Sequence, residues 1–121
     1  MKLKVYVSSV LVAAMISVLP AITPAAAQGA PRRIEVSAKR FEFTPGEIVL
    51  KKGEPVVLVL KSIDVPHGVR FKELGIETKA KKGETSELAF TPNKVGTFVG
   101  QCAVFCGSGH GSMKLTLRVT E

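Results

Sequence analysis

The chain has 121 residues and a formal net charge of +7, and 45% of its residues are hydrophobic. A chain of this size builds one small domain, which excludes an enzyme with two domains around a cleft. It contains only two Cys, two His and three Met.

The N-terminal segment differs in composition from the rest of the chain. Lys2 and Lys4 precede an apolar run, which is followed by prolines and by the small residues Ala25 to Ala27. This layout is typical of a secretory signal peptide that is cleaved before Gln28. We therefore expect residues 1-27 to be a signal peptide, and the protein to be soluble in the periplasm or another extracytoplasmic compartment. An uncleaved membrane anchor is the alternative, because the apolar segment is just long enough to span a bilayer.

Residues 28-33 are expected to form a flexible lead-in, because Gly29 and Pro31 interrupt regular structure. After them, alternation of apolar and polar residues predicts a strand that begins at Ile34 and continues through Phe41 and Phe43. The continuous apolar run from Val56 to Leu60 predicts a central strand that is covered on both faces. Further strands are predicted at Glu47 to Leu50, Val69 to Phe71, Ile76 to Ala80, Ser86 to Thr91, Val95 to Gln101 and Met113 to Val119.

Six to eight short strands without an amphipathic helix predict an all-β fold, a Greek-key sandwich of two sheets in one domain over residues 34-121. The lysine-rich turns at Lys51-Lys52 and Lys79 to Lys82 are interpreted as solvated surface. No nucleic-acid-binding motif lies beside them, so no nucleic acid is expected as a partner.

A long loop, Cys102 to Ser112, joins the last two predicted strands. It contains two thiols and the imidazole of His110, and the thioether of Met113 follows directly. Sulfur ligands together with imidazole suit copper, especially Cu(I). His67, the other His, follows the central strand, and it can complete the site because loops of a sandwich meet at the same end.

The residue types alone leave several kinds of site open. Two Cys in an exported domain often form a structural disulfide. A mononuclear blue-copper site needs one Cys, two His and a Met, and would leave Cys102 without a role. Zinc could be bound by two Cys and two His, but this gives no reason for Met113.

The pattern Cys102-x3-Cys106-Gly107-x2-His110-x2-Met113, preceded by Asp64-Val65-x-His67, resembles a known copper motif. It is similar to the binuclear copper (CuA) site of cytochrome c oxidase subunit II and of nitrous oxide reductase, which is carried on a cupredoxin fold. The resemblance covers the chain from about Ile34 to Glu121.

The resemblance implies a site with two copper ions. Two thiolates would bridge the ions, each ion would bind one imidazole, and a thioether and a backbone carbonyl would be weak ligands to one ion each. By position, the bridging thiolates would be Cys102 and Cys106, and the imidazoles would be those of His67 and His110. The thioether would be that of Met113, and the backbone carbonyl would be that of Val104.

The resemblance also implies a function as a carrier of single electrons, without a substrate reaction of its own. The expected partner is a c-type cytochrome or another redox protein, or a terminal oxidase or reductase. Val104 departs from the acidic or amide side chain that is usual in the oxidases, and the chain lacks Trp for their aromatic electron-accepting patch. These departures favour a free-standing relative, and they keep open a periplasmic carrier that delivers copper to an oxidase or reductase.

Two expectations concern the surroundings of the metals. Gly107, Gly109 and Gly111 are expected to let the loop backbone fold tightly around them. Phe105 is expected to limit the access of water to the site.

Overall fold

The computed structural model describes residues 17, 18, 20 and 30–121. The expected signal peptide, apart from three of its residues, and the first two residues of the expected lead-in, Gln28 and Gly29, lie outside the described residues. In the part that is described, no helix is long and apolar enough to cross a membrane.

The described chain folds as nine β-strands in two sheets, and only two short 3-10 turns, Lys72–Leu74 and His110–Ser112, interrupt them. The predicted all-β sandwich of two sheets is therefore confirmed. In chain order the strands are β1 (Arg32–Lys39), β2 (Glu42–Thr44), β3 (Glu47–Lys51), β4 (Val56–Ser62), β5 (His67–Phe71), β6 (Ile76–Ala80), β7 (Thr85–Phe90), β8 (Gly96–Gln101) and β9 (Lys114–Thr120).

One sheet has the strand order β2-β1-β4-β7 and the other has β3-β9-β8-β5-β6. Strands β1 and β4 pair in parallel, as do β3 and β9, and the other pairs are antiparallel. The apolar run of β4 lies between β1 and β7, and its residues from Val56 to Leu60 are all buried. The expectation of a central strand that is covered on both faces is thus confirmed.

The first predicted strand is in fact two strands. The chain turns after Lys39, and β2 folds back on β1 so that Lys39 pairs with Glu42. Phe43 points into the core, whereas Phe41 at the turn is 37% exposed. Strand β1 also begins at Arg32, inside the expected lead-in, because Arg32 pairs with Val56.

The core lies between the sheets and extends to one end of the sandwich. Its inner faces are apolar and alternate with exposed polar positions, as in β9, where Leu115, Leu117 and Val119 are buried. At one end, strands β1, β4, β6 and β8 finish and strands β5, β7 and β9 begin, as the pairs Ala38 with Ser62 and His67 with Ala80 show. This end is named the loop end, because it carries the loop from Cys102 to Ser112. The opposite end, with the β3–β4 and β7–β8 turns, is named the far end.

Candidate metal centre

Three elements of the loop end position the candidate ligands. His67 is the first residue of β5, Cys102 directly follows β8, and Met113 directly precedes β9. The Cys102 N–H donates to the carbonyl of Met113 (3.1 Å), which closes the base of the loop. The Ala103 N–H donates to the carbonyl of Gly68 (3.2 Å), which ties the loop to β5. Paired strands therefore hold both ends of the loop against β5, the strand that supplies His67.

The structure brings the predicted side chains together around the two sulfur atoms. The Sγ atoms of Cys102 and Cys106 are 3.9 Å apart, and both thiols are free. Each sulfur has its own imidazole: His67 Nδ1 is 3.8 Å from Cys102 Sγ, and His110 Nδ1 is 3.8 Å from Cys106 Sγ. The arrangement is therefore two thiol–imidazole pairs that meet at their sulfur atoms.

Two weaker donors lie beside this group, one next to each sulfur atom. Met113 Sδ is 3.8 Å from Cys106 Sγ, and the Cys102 thiol donates to the carbonyl oxygen of Val104 at 3.1 Å. Each sulfur atom thus has one imidazole and one weaker donor beside it. The structure thus places the Val104 carbonyl and the Met113 thioether next to the two thiols.

The donors differ in how far they are shielded from water. His67 and Met113 are completely buried, and both Cys are nearly so. His110 is half-buried and lines a surface cavity of about 440 Å³ together with Arg70, Lys72 and Gln101. The site therefore lies at the end of the apolar core, and the His110 side is the one that solvent reaches.

A hydrogen-bonded chain fixes the orientation of the His67 ring. Asp64 Oδ1 lies 2.7 Å from His67 Nε2, and the Arg40 N–H donates to Asp64 Oδ2 at 2.9 Å. The Arg40 N–H is the main cause that lowers the pKa of Asp64 to about 2, with the His67 contact adding to it. An ionised carboxylate only accepts hydrogen bonds, so Nε2 must carry the proton and Nδ1 keeps its lone pair towards Cys102.

The main chain of His67 is held as firmly as its ring. Its N–H donates to the Ser62 hydroxyl (3.2 Å), and that hydroxyl donates to the carbonyl of Ala80 (3.0 Å). Ser62 is completely buried at the end of β4. The ligand position is therefore linked to both sheets.

Arg40 and Phe41, in the β1–β2 turn, contact the ligand loop, and sequence reasoning missed both. Arg40 Nε donates to the carbonyl of Cys106 at 2.8 Å. A Cβ on Gly109 would lie 2.5 Å from the Phe41 ring, and one on Gly107, which has a φ of +136°, would lie 3.0 Å from it. The alternating pattern around Phe41 predicts a continuing strand, whereas the structure has a turn there.

These contacts give two of the loop glycines a role that the sequence did not indicate. Gly107 and Gly109 do allow a close approach, but the group that approaches them is the Phe41 ring. A Cβ on Gly111 would meet nothing within 4 Å, so no close contact requires glycine there. The loop is packed tightly on the β1–β2 turn.

Phe105 does not cover the site as expected. Its side chain is 78% exposed, and its ring centroid lies 5.6 Å from that of His110, with the planes tilted by 50°. Water is excluded instead by the core residues around His67 and Met113. Phe105 is therefore a surface residue beside the half-buried imidazole.

Burial is the main cause that raises the pKa of the Cys106 thiol to about 11, and the neighbouring Cys102 adds to it. Two adjacent thiolates in an apolar site are costly unless a cation compensates their charge. The structure also groups His67, Cys102 and Cys106 as buried side chains whose ligand atoms lie within 4.8 Å of one another. Thiolate, imidazole and thioether donors in one buried group match the preferences of copper, so the residues present fit that metal.

Comparison with known proteins agrees with the fold. The family described as "Cupredoxin-like domain" matches residues 10–113. The periplasmic domain of subunit II of cytochrome oxidase from Bradyrhizobium japonicum has a similar structure, with a TM-score of 0.69 and 23% identity over 77% of this chain and 86% of that one.

Two other solved structures have the same fold and carry different copper sites. The metal-binding domain of the Cu(I)-exporting P-type ATPase of Streptococcus pneumoniae D39, solved with Cu(I), gives a TM-score of 0.61 and 24% identity over 74% of this chain and 85% of that one. Auracyanin A, a blue copper protein from Chloroflexus aurantiacus, gives 0.63 and 21% over 75% of this chain and 100% of that one. At these identities the structural likeness establishes the fold alone, but the family match spans most of the sequence. The chain belongs to the cupredoxin-like domain family.

Proposed function

We propose that this protein is an exported electron carrier with a binuclear copper centre of the CuA type. The main support is the position of the two Cys Sγ atoms, which are 3.9 Å apart and each have the Nδ1 atom of a separate imidazole at 3.8 Å. Two thiolates that each have their own nitrogen donor suit two ions that share both sulfurs. Copper bound there would supply a one-electron redox couple in which the unpaired electron is shared between two ions.

The roles follow the positions of the donors. Cys102 and Cys106 would supply the shared thiolates, and His67 and His110 would each bind one ion. The weak donors would be the Met113 thioether and the Val104 carbonyl. Asp64, through the Nε2–H of the His67 ring, directs the ring nitrogen Nδ1 towards the sulfurs. Such contacts keep the ligands still, and electron transfer is faster when ligands move little between redox states.

Single-ion sites account for fewer of these donors. A mononuclear blue-copper site would use only one thiolate, although Cys102 Sγ lies 3.8 Å from His67 Nδ1 and 3.9 Å from Cys106 Sγ. A tetrahedral zinc ion would use both thiolates and both imidazoles, and the spacing of the four atoms also suits it. Zinc leaves no role for the Met113 thioether, which contacts Cys106 Sγ at 3.8 Å.

A second candidate function is a periplasmic copper carrier that delivers copper to an oxidase or reductase. The donor set is soft and suits Cu(I), and the half-buried His110 gives an exchange partner access to one side of the site. A domain with the same fold, from an ATPase that exports Cu(I), was solved with that ion bound. In this function the copper must leave readily, whereas an electron carrier must retain it.

We also propose that the protein is exported and that its partner is a redox protein. The basic, apolar and small-residue segments of residues 1-27 have the order of a cleaved signal peptide. The partner of an electron carrier in that compartment would be a c-type cytochrome or a terminal oxidase or reductase. N-terminal sequencing of the exported protein tests the cleavage, and Gln28 is the expected first residue.

The deciding experiment is copper titration of the reduced, purified protein, with metal analysis and visible and EPR spectra. Two copper ions per chain and a hyperfine pattern from two equivalent copper nuclei are expected. One copper ion with a single intense blue absorption band would overturn the binuclear centre. Rapid loss of copper to a chelator, with the two-copper spectrum otherwise as expected, would favour the copper carrier.

Substitution of single ligands tests their separate roles. Cys102→Ser removes one bridging thiolate and should abolish the two-copper spectrum, whereas Ser112→Ala, in the exposed part of the same loop, should leave it unchanged. Met113→Leu keeps the volume of a buried side chain and should alter the spectrum without loss of the second ion. An unchanged spectrum in Cys102→Ser would show that Cys102 does not bridge.

A further inference from the structure

Basic side chains are concentrated at the loop end of the sandwich. Lys39 and Lys61 are at the ends of β1 and β4, Lys81 and Lys82 are in the β6–β7 turn, and Lys114 begins β9. All five are exposed, and none forms an ion pair within the described part of the chain. These five residues are named the loop-end lysines.

Acidic side chains at this end do little to neutralise the loop-end lysines. Asp64 is held by Arg40 and His67, and Glu77 accepts from Arg70 and Lys79. Glu42 and Glu84 also lie at this end, Glu73 lines the cavity beside His110, and none of these three carboxylates forms an ion pair among the described residues. The loop end therefore has an excess of positive charge.

The far end has a different balance. Arg32, Arg33 and Arg118 are paired with the carboxylates of Glu54, Glu87 and Glu47. Lys51, Lys52 and Lys94 are exposed there, and the carboxylates of Glu35 and Glu121 offset part of their charge. Most of the net positive charge of the described domain thus lies on the side of the candidate metal centre.

Apolar side chains are also exposed at the loop end. Phe105 is 78% exposed, Ile63 is 45% exposed and Phe41 is 37% exposed. Phe105 lies beside His110, the candidate ligand that solvent reaches. An apolar centre within a charged border is the usual composition of a protein–protein contact.

We propose that the loop end is the docking surface for a redox partner protein whose own contact face is acidic. This inference rests on the proposed electron-carrier function, since it assigns the partner of the same site. Complementary charge raises the rate of encounter and orients the partner, and both effects weaken as salt is added. An acidic face would therefore be brought against Phe105 and His110, where the distance to the metal centre is shortest.

The redox test uses one probe protein in two charge states. Native cytochrome c is basic, and the same cytochrome after succinylation of its lysines is acidic. One electron passes from the reduced, copper-loaded protein to the ferric haem, which becomes ferrous. With the succinylated probe we expect a second-order rate constant that falls as NaCl rises from about 10 to about 200 mM, and with the native probe we expect one that rises.

Matched charge reversals locate the surface. Lys81→Glu/Lys82→Glu should lower the rate with the succinylated probe at low salt by about tenfold or more. Lys51→Glu/Lys52→Glu makes the same change of net charge in a turn at the far end and should change that rate by less than about twofold. Equal effects of the two pairs would overturn the inference, because net charge rather than the loop end would then govern the rate.

A copper-free measurement separates this inference from the proposed function. Succinylated cytochrome c is added to the isotopically labelled, copper-free protein, and amide shifts are followed by NMR. Shifts confined to the loop end and abolished by Lys81→Glu/Lys82→Glu are expected. Shifts at the far end, or none at low salt, overturn the docking surface whatever the copper stoichiometry. Loop-end shifts in a protein that fails to form the two-copper spectrum would overturn the proposed function alone.

Discussion

Cys106 has a thiol whose acidity the fold alters strongly. Burial, with a contribution from Cys102, raises its pKa to about 11. The thiolate is both the nucleophile and the metal ligand, so the copper-free site holds a proton on Cys106 at neutral pH and must release it when metal binds.

We predict that iodoacetamide alkylates Cys106 of the copper-free, reduced protein slowly at pH 8. The rate should continue to rise up to about pH 11, because the thiolate fraction grows until the pH reaches the pKa. Peptide mapping by mass spectrometry measures the rate at each pH. The same protein in guanidinium chloride is the control and should show the midpoint of an ordinary thiol, near 8.5. A midpoint near that value in the folded protein would contradict the prediction.

Asp64 shows the opposite shift, since hydrogen bonds led by the Arg40 N–H lower its pKa to about 2. A carboxyl group with a lowered pKa in the folded state stabilises the fold above its unfolded pKa, and this contribution is lost as the pH falls through the folded value. We therefore predict that Asp64→Asn flattens the decrease in unfolding free energy between about pH 4 and pH 2.

Urea unfolding of both proteins at successive pH values measures this slope. The effect should be modest, because about a third of the Asp64 side chain is exposed and solvent screens its interactions. Glu77 also has a pKa lowered to about 2, by Arg70 and Lys79, so Glu77→Gln is a suitable comparison at a carboxylate that is not hydrogen-bonded to a candidate ligand. If Asp64→Asn left the slope unchanged, the Arg40 contact would not stabilise the carboxylate as inferred.

The ligand types could be predicted from sequence because sulfur and imidazole are rare in this chain and fall in a recognisable order. The residues that support them could not. Arg40 binds a carbonyl oxygen, which every residue has, so no side-chain pattern marks its partner. The exposed position of Phe105 likewise depends on how the loop folds on Phe41, which no local pattern encodes.

At the scale of elements, the ligand loop and the β1–β2 turn form one packed unit. The Phe41 ring lies where a side chain on Gly109 would be, and Arg40 holds the loop at Cys106. The loop is therefore fixed by contacts along its length as well as by the strands at its two ends.

We predict that Gly109→Ala destabilises the copper-free protein by about 1 to 3 kcal/mol, because the new methyl group would lie 2.5 Å from the Phe41 ring. Gly111→Ala, with nothing within 4 Å of the added carbon, is the matched control and should change stability by less than about 0.5 kcal/mol. Chemical denaturation of the three proteins measures both values. Equal stabilities of the two variants would mean that the loop does not pack on Phe41.

The strands themselves were largely predictable, because alternation in β9 and the continuous apolar run of β4 reflect burial on one face and on two faces. The break between β1 and β2 could not be predicted, because Phe41 and Phe43 keep the alternating spacing across a turn. The parallel pairing of β1 with β4 depends on contacts between distant segments, which local periodicity does not specify.

At the scale of the whole molecule, the donors come from segments that are far apart in sequence. His67 begins β5, whereas Cys102, Cys106, His110 and Met113 lie between β8 and β9. The folded chain brings them within contact distance at the end of the core, and the unfolded chain does not. Metal that binds this arrangement must therefore stabilise the sandwich as a whole.

We predict that each copper ion, at about 100 times its dissociation constant, adds up to about 2.7 kcal/mol to the free energy of unfolding. For a domain of this size, one such contribution corresponds to a rise of about 11 to 22 °C in Tm. Copper bound by Cys and His of the unfolded chain would reduce the rise. Calorimetry with and without copper measures it, and the double variant Cys102→Ser/Cys106→Ser should show no rise. If the rise in Tm persisted in this variant, the stabilising copper would be bound outside the site. If the rise disappeared, the stabilisation of both sheets by copper would depend on the two thiolates.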